Sequence, residues 1–112
     1  MTKGKVVLVP FPFDDLSTTK VRPAVCLTHP IGPYRHVILA FITSQIPSDL
    51  METDVVLDVG HVDFATTGLH VSSTIRLHRL MTVTTSLIQR ELGEISPRIQ
   101  LEIFSKLRHL IE

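Results

Sequence analysis

One apolar run decides the fold: KVRPAVCLT, residues 20–28, in which an arginine and a proline precede the apolar part. A second apolar run covers residues 37–43 and is followed by Ser44 and Gln45. The segment between them, HPIGPYRH, contains two prolines and a glycine, which are typical of a loop. The two runs are therefore predicted to form an antiparallel hairpin.

The register of this hairpin decides which side chains meet. If Thr28 pairs with Val37, paired residue numbers sum to 65, and Arg22 lies opposite Thr43. Directly opposed residues on one face have Cβ atoms about 5 Å apart. Pro23 favours an extended backbone at Arg22, which fixes the direction of the arginine side chain. A cation and a hydroxyl at the open end of the hairpin are suited to bind a phosphate.

Each part of this predicted site has a second interpretation. Arg22 could instead be a surface cation in a weak ion pair with Asp14 or Asp15. The polar group Thr43-Ser44-Gln45 either binds anions or solvates the end of a strand. The loop at residues 14–20 either covers the site or is a solvated turn.

Outside the hairpin, the pattern predicts four further strands and one helix. Ser96 is a good N-cap, Pro97 suits the first helical position, and apolar residues then recur at helical spacing. The helix is predicted over residues 97–111. The strands are predicted at residues 5–13, 54–59, 71–83 and 88–95, with a short helical turn from Thr84 or Thr85 through Leu87.

In the strand at residues 71–83, Arg76, His78 and the out-of-register Arg79 interrupt the apolar residues. These side chains either contribute to a basic cleft or form the solvent face of the strand. His61 and Asp63 lie two residues apart, but no third ligand follows closely enough to predict a metal site.

The overall composition limits the possible functions. The 112 residues suit a single domain spanning residues 1–112. A formal net charge of zero argues against a protein that coats nucleic acid by charge alone, and five Phe with one Tyr and no Trp argue against a base-stacking platform. Cys26, the only cysteine, is predicted to pack in the core as an unreactive side chain.

No apolar run reaches the roughly 20 residues of a membrane span, and the first residues lead directly into a strand, so we expect a cytoplasmic protein.

Four segments together resemble the MazF/PemK toxins of bacterial toxin–antitoxin pairs. They are KGKVVLVPFPF at residues 3–13, VRPA at residues 21–24, ITSQ at residues 42–45 and LGEISP at residues 92–97. The match runs in order over nearly the whole chain. The resemblance implies a mainly β fold, a small SH3-like barrel with a C-terminal helix of the kind that MazF, PemK and CcdB toxins share.

The resemblance also implies a growth-inhibiting endoribonuclease, an mRNA interferase that cuts single-stranded RNA at short sequences without a metal or another cofactor. In such enzymes a ribose 2′-OH attacks the adjacent phosphate. The family's catalytic arginine falls on Arg22 and its catalytic Thr or Ser falls on Thr43. Substrate contacts are predicted at Lys20, Ser44, Gln45, Asp15, Arg76 and Arg79.

The partners implied by the resemblance are a second copy of the chain, the RNA substrate and a cognate antitoxin with an acidic, partly disordered tail. DNA contact is expected only through the antitoxin. The alternative function is a non-catalytic binding protein on the same fold, either a gyrase poison or a degenerate module that binds an antitoxin.

Overall fold

The computed structural model describes residues 2–12 and 19–112. In this part of the chain, six strands and one long helix are joined by loops and by two single-turn 3-10 helices, Ala65–Thr67 and Thr85–Leu87. The elements are β1 Lys5–Pro12, β2 Thr19–Cys26, β3 His36–Thr43, β4 Asp54–Leu57, β5 Ser73–Thr84, β6 Arg90–Glu94 and α1 Pro97–Ile111.

The strands form one antiparallel sheet in the order β4-β5-β3-β2-β1-β6. The sheet is curled into a half-barrel, and α1 is the single long helix in the described residues. The predicted class, mainly β with a C-terminal helix on a small barrel, is therefore confirmed.

The register predicted for the β2–β3 hairpin is also confirmed. The paired residues are Ala24 with Phe41, Val25 with Ala40 and Cys26 with Leu39, and each pair of numbers sums to 65. The strand β2 ends at Cys26, two residues earlier than predicted. Beyond Cys26 the Leu27 N–H still donates to the Ile38 carbonyl at 2.8 Å, but the Ile38 N–H donates to the side-chain Oγ1 of Thr28, at 3.2 Å, instead of to a backbone carbonyl.

The central strand β3 is buried on both faces of the sheet because two apolar clusters cover it. On one face, Val37 and Leu39 pack with Ala24 and Cys26 of β2. On the other face, Ala40 and Ile42 pack in a cluster that includes Ile99 and Ile103 of α1. The helix thus closes one side of the sheet and leaves the end of the hairpin at Thr43 uncovered by this cluster.

The helix α1 has the predicted bounds. The Oγ of Ser96 accepts the backbone N–H of Ile99 at 3.2 Å, and Pro97 occupies the first turn. The same hydroxyl donates to Asp63 Oδ2 at 2.9 Å, which ties the start of the helix to the irregular segment before β5. The predicted apolar stripe ends before Ile111, which is exposed.

A wide bulge interrupts β5 where it pairs with β3. Ala40 pairs with Leu80, but the next residue of β3, Phe41, pairs with Arg76. The three residues in between, at positions 77–79, therefore have no partner in this ladder. Residues three apart point to opposite faces of a regular strand, but the bulge shifts the alternation in β5, so Arg79 and Arg76 lie on the same face as Phe41.

Candidate active-site cleft

At the end of the β2–β3 hairpin lies a cleft of about 370 Å³. It is lined by residues from β2, β3, the segment after β3, and the bulge of β5: Arg22, Pro23, Phe41, Ile42, Thr43, Ser44, Gln45 and Arg79. The structure thus brings Arg22, Thr43, Ser44, Gln45 and Arg79, all predicted as site residues, to one surface.

Two features of β2 determine the position of Arg22. The strand pairs with β1 on one side, where Arg22 lies beside Val9, and on the other side it pairs with β3 as far as Ala24 and Phe41, two residues before Arg22 and Thr43 reach the same cleft. The arginine side chain is half-buried, and small Ala24 follows on the same strand face. A half-buried guanidinium is screened less by solvent than a fully exposed one, so it interacts more strongly with an anion.

The hydroxyl of Thr43 lies in a local turn at the end of β3. Its Oγ1 accepts the backbone N–H of Gln45 at 3.3 Å. Since a hydroxyl has one proton and can accept as well as donate, this bond leaves the Thr43 proton available to a ligand in the cleft. The residue can therefore donate to an oxyanion without losing its bond to the backbone.

Arg79 is held over an aromatic ring at the side of the cleft. Its guanidinium carbon lies 4.8 Å from the centroid of the Phe41 ring, within the range of a cation–π interaction. Phe41 in turn packs edge-to-face against Phe11, with ring centroids 5.1 Å apart. These contacts orient a second guanidinium at the cleft, and an arginine pair with a hydroxyl is suited to bind a phosphate.

Arg76, by contrast, does not line the cleft. Its Nε lies 3.1 Å from Oδ1 of Asp54, whose side chain is fully buried, and its Nη1 lies 3.5 Å from Oδ1 of Asp49. Its Nη2 contacts the sulfur of Met51 at 3.6 Å. The charge of Arg76 is thus balanced inside the protein, and its contacts fix the segment between β3 and β4.

The other two predicted contacts have different positions. Lys20 is exposed and shares a face of β2 with Arg22, two residues away, but it is not part of the cleft lining. Asp15 lies outside the described residues. Phe41 was not predicted as a site residue, because the apolar run that contains it predicted only burial. It lies two residues before Thr43, so the alternation of side chains along a strand would have placed both on the same face.

A metal centre has no support in the described residues. Within residues 2–12 and 19–112, no three His, Cys, Asp or Glu side chains are placed to hold a metal ion. The same part of the chain contains no helix that is long and apolar enough to cross a membrane.

The sequence of this chain matches the family model of the PemK-like, MazF-like toxins of type II toxin–antitoxin systems over residues 2–111. The chain is a member of this family. No curated protein matches it in sequence. The family match spans the hairpin, the cleft residues and α1, so the cleft lies within a MazF-like toxin domain.

Solved structures share the fold of this MazF-like toxin at low sequence identity. The Mycobacterium tuberculosis toxin MazF-mt6 is 18% identical, with a TM-score of 0.70, over 96% of this chain and 95% of the other. MazF from Deinococcus radiodurans is 19% identical, with a TM-score of 0.70, over 99% and 96%. A mycobacterial endoribonuclease in complex with its cognate antitoxin is 17% identical, with a TM-score of 0.70, over 99% and 94%.

Proposed function

We propose that this MazF-like toxin is a sequence-specific, metal-independent endoribonuclease that cleaves single-stranded RNA, including mRNA. The observation that carries the proposal is the placement of Arg22 and Thr43 in one cleft, with Arg79 beside them. Family membership supports it, as does the fold shared with toxins described as MazF and as an endoribonuclease.

In the proposed reaction, the 2′-OH of one nucleotide attacks the adjacent phosphorus, and the bond to the next nucleotide's 5′-oxygen breaks. The products are a cyclic phosphate and a 5′-hydroxyl. The transition state gains negative charge on the non-bridging oxygens. The fixed guanidinium of Arg22 stabilises that charge, and the Thr43 hydroxyl donates a further hydrogen bond.

Arg22 is poorly suited to act as a general base because a guanidinium does not lose its proton near neutral pH. Its roles are electrostatic stabilisation of the transition state and hydrogen-bond donation to the phosphate and leaving oxygens, with the guanidinium keeping its proton. The nucleophile belongs to the substrate, so RNA is cleaved and DNA, which lacks the 2′-OH, is not. The neutral net charge of the chain does not oppose this function, because two arginines, Arg22 and Arg79, line the cleft.

We further propose that a cognate antitoxin neutralises the toxin by laying an acidic segment over the same cleft. Solved relatives include a mycobacterial endoribonuclease with its cognate antitoxin and a MazE–MazF structure from Deinococcus radiodurans. The cleft would attract an acidic peptide for the same electrostatic reason that it attracts RNA. DNA contact would come only through the antitoxin, and the toxin would act in the cytoplasm.

The proposed functional form is a homodimer. Beside the cleft lies a second cavity of about 340 Å³, lined by Phe11, Phe41, Leu80 and Met81 among others, and Leu80 is substantially exposed. Apolar side chains at a surface depression favour coverage by a partner. Sedimentation or light scattering would give twice the mass of one chain; a monomer at micromolar concentration would contradict this part of the proposal.

The central test is incubation of the purified protein with long single-stranded RNA in EDTA. Discrete cuts with 5′-hydroxyl ends are expected, and Arg22→Ala should abolish them while circular dichroism stays unchanged. Arg98→Ala is the matched control, because Arg98 is an exposed cation on α1 that pairs only loosely with Asp63, at 3.8 Å. Cleavage retained by Arg22→Ala would contradict the catalytic assignment. No cleavage by the wild type on several RNAs would contradict the nuclease assignment and favour a binding role.

A further inference from the structure

A separate cavity of about 290 Å³ adjoins the cleft and shares Pro23 and Ser44 with it. Its walls include Leu8 of β1 and Leu92 of β6, and the loop after the first 3-10 helix supplies His70 and Val71. Arg90 of β6 also lines it. Apart from the shared Pro23 and Ser44, none of the side chains named here has a role in the proposed cleavage chemistry.

This cavity is preformed by close packing of the backbone. Gly68 has a φ of +75°, and a Cβ there would overlap the carbonyl oxygen of Leu92. A Cβ on Gly93 would likewise overlap the carbonyl oxygen of Thr66. These two close approaches fix the loop against β6, so the distance between Val71 and the wall formed by Leu8 and Leu92 is set by the fold.

The lining combines apolar side chains with a few polar ones, which suits a ring with polar groups at its edge. Small-molecule sites are mostly apolar cavities with a few polar groups that set orientation, and a volume of about 290 Å³ is just below their usual range of roughly 300–1,000 Å³. Among the lining residues that the structure describes, Arg90 is the one with a permanent charge outside the phosphate cleft. Arginine pairs in a bidentate manner with O6 and N7 of guanine.

We propose that this cavity binds the base of a nucleotide next to the scissile phosphate, and that Arg90 makes guanine the preferred base. The inference rests on the proposed ribonuclease function and specifies its substrate. Bases of single-stranded RNA are free to leave the stack and enter such a pocket. The shared wall of Pro23 and Ser44 places the base pocket directly beside the phosphate-binding cleft, as the short link between a phosphate and its own base requires.

Two variants test the base pocket from opposite directions. Arg90→Gln removes the charge, and Val71→Trp fills the cavity from its rim, where Val71 is more than half exposed. The matched controls are Arg98→Gln, on α1, and Val62→Trp, at an exposed position that does not line the cavity. Each protein is incubated with an RNA pool that is randomised around the cut, and the cleaved sequences are read.

The expected result is a guanine preference of roughly tenfold to a hundredfold at one position beside the cut. Arg90→Gln and Val71→Trp should remove that preference, and both controls should keep it. An unchanged preference in both pocket variants would overturn the proposal while leaving the nuclease function standing. Unchanged preference together with weaker inhibition by the antitoxin would assign the cavity to the protein partner instead, which also overturns it.

A second measurement does not depend on cleavage. Guanosine, adenosine, cytidine and uridine 5′-monophosphates are titrated into labelled protein, and amide shifts are followed by NMR. Guanosine monophosphate should shift the amides of His70 and Val71 more than the other three, and Arg90→Gln should remove the difference. If the wild type cuts no RNA but shows these shifts, the nuclease function fails and the base pocket stands. Equal or absent shifts at these amides would overturn the pocket.

Discussion

The Oγ1 of Thr43 accepts the backbone N–H of Gln45 at 3.3 Å, so the threonine hydroxyl is oriented by the turn that ends β3. The bond fixes the oxygen and leaves its proton for a ligand in the cleft. Thr43 and Arg22 line the same cleft. The geometry therefore gives Thr43 a donor role that depends on the hydroxyl and not on the methyl group.

The first prediction concerns that hydroxyl. Thr43→Val should lower the rate of RNA cleavage by about 10²–10³, the loss typical of one transition-state donor. Thr43→Ser should keep most of the activity because it retains both the donor and the acceptor. Single-turnover cleavage of one RNA gives the rates. Equal activity of the valine and serine variants would remove Thr43 from the proposed mechanism.

The second prediction concerns Arg76 and its buried partner Asp54. Arg76→Met should lower the free energy of unfolding in urea by about 3–5 kcal/mol, because it leaves a buried carboxylate without its cation. Arg98→Met, which removes an exposed pair, should cost less than about 1 kcal/mol. The double variant Arg76→Met/Asp54→Leu should recover part of the loss.

The same variant decides between two roles for Arg76. The sequence predicted a substrate contact, whereas the structure places the guanidinium with Asp54, Asp49 and Met51. Unchanged stability combined with strongly reduced RNA binding would support the substrate contact. Reduced stability, with cleavage by the folded fraction retained, would support the structural role.

The hairpin and the helix could be predicted because their signals are local. The prolines and glycine of the loop at residues 29–36 fixed the turn, and the apolar runs beside it then fixed the register. Ser96 and Pro97 marked the start of α1. Burial of Cys26 also followed from its position in an apolar strand.

The surroundings of Arg76 and Arg79 could not be predicted in this way. A regular strand would point these two side chains to opposite faces, whereas the bulge gives both of them the face of Phe41. The bulge in β5 appears only when β3 is alongside, and Asp54 lies 22 residues before Arg76. The cavity proposed to bind a base is similarly non-local, because its wall depends on the packing of Gly68 against the backbone of Leu92 in β6.

The third prediction compares two glycines with almost the same backbone conformation. Gly68 has φ +75° and Gly32 has φ +73°, but only Gly68 would place a Cβ against backbone, that of Leu92. Gly32→Ala should cost about 1–2 kcal/mol for the left-handed conformation alone. Gly68→Ala should cost clearly more, because a backbone carbonyl must move as well. Urea denaturation of both variants measures the difference. Equal losses of unfolding free energy would show that the loop at Gly68 moves away from Leu92 at little cost.

The fourth prediction concerns the buried thiol of Cys26. Burial, and secondarily the negative charge of Glu91, raises the pKa of this thiol from 9.0 to about 11. Between pH 9 and pH 11 the unfolded chain loses the thiol proton while the folded chain keeps it, so stability falls as the pH rises through this window. The loss should be on the order of 2 kcal/mol.

High pH acts on the whole protein, so the measurement needs a variant that lacks only the thiol. Cys26→Ala should start from a lower stability at pH 8, because it removes a buried sulfur, and should then fall less steeply toward pH 11. The difference between the two pH profiles isolates the thiol. Parallel profiles would mean that Cys26 ionises as easily in the folded protein as in the unfolded chain, which its burial in the β2 core does not permit.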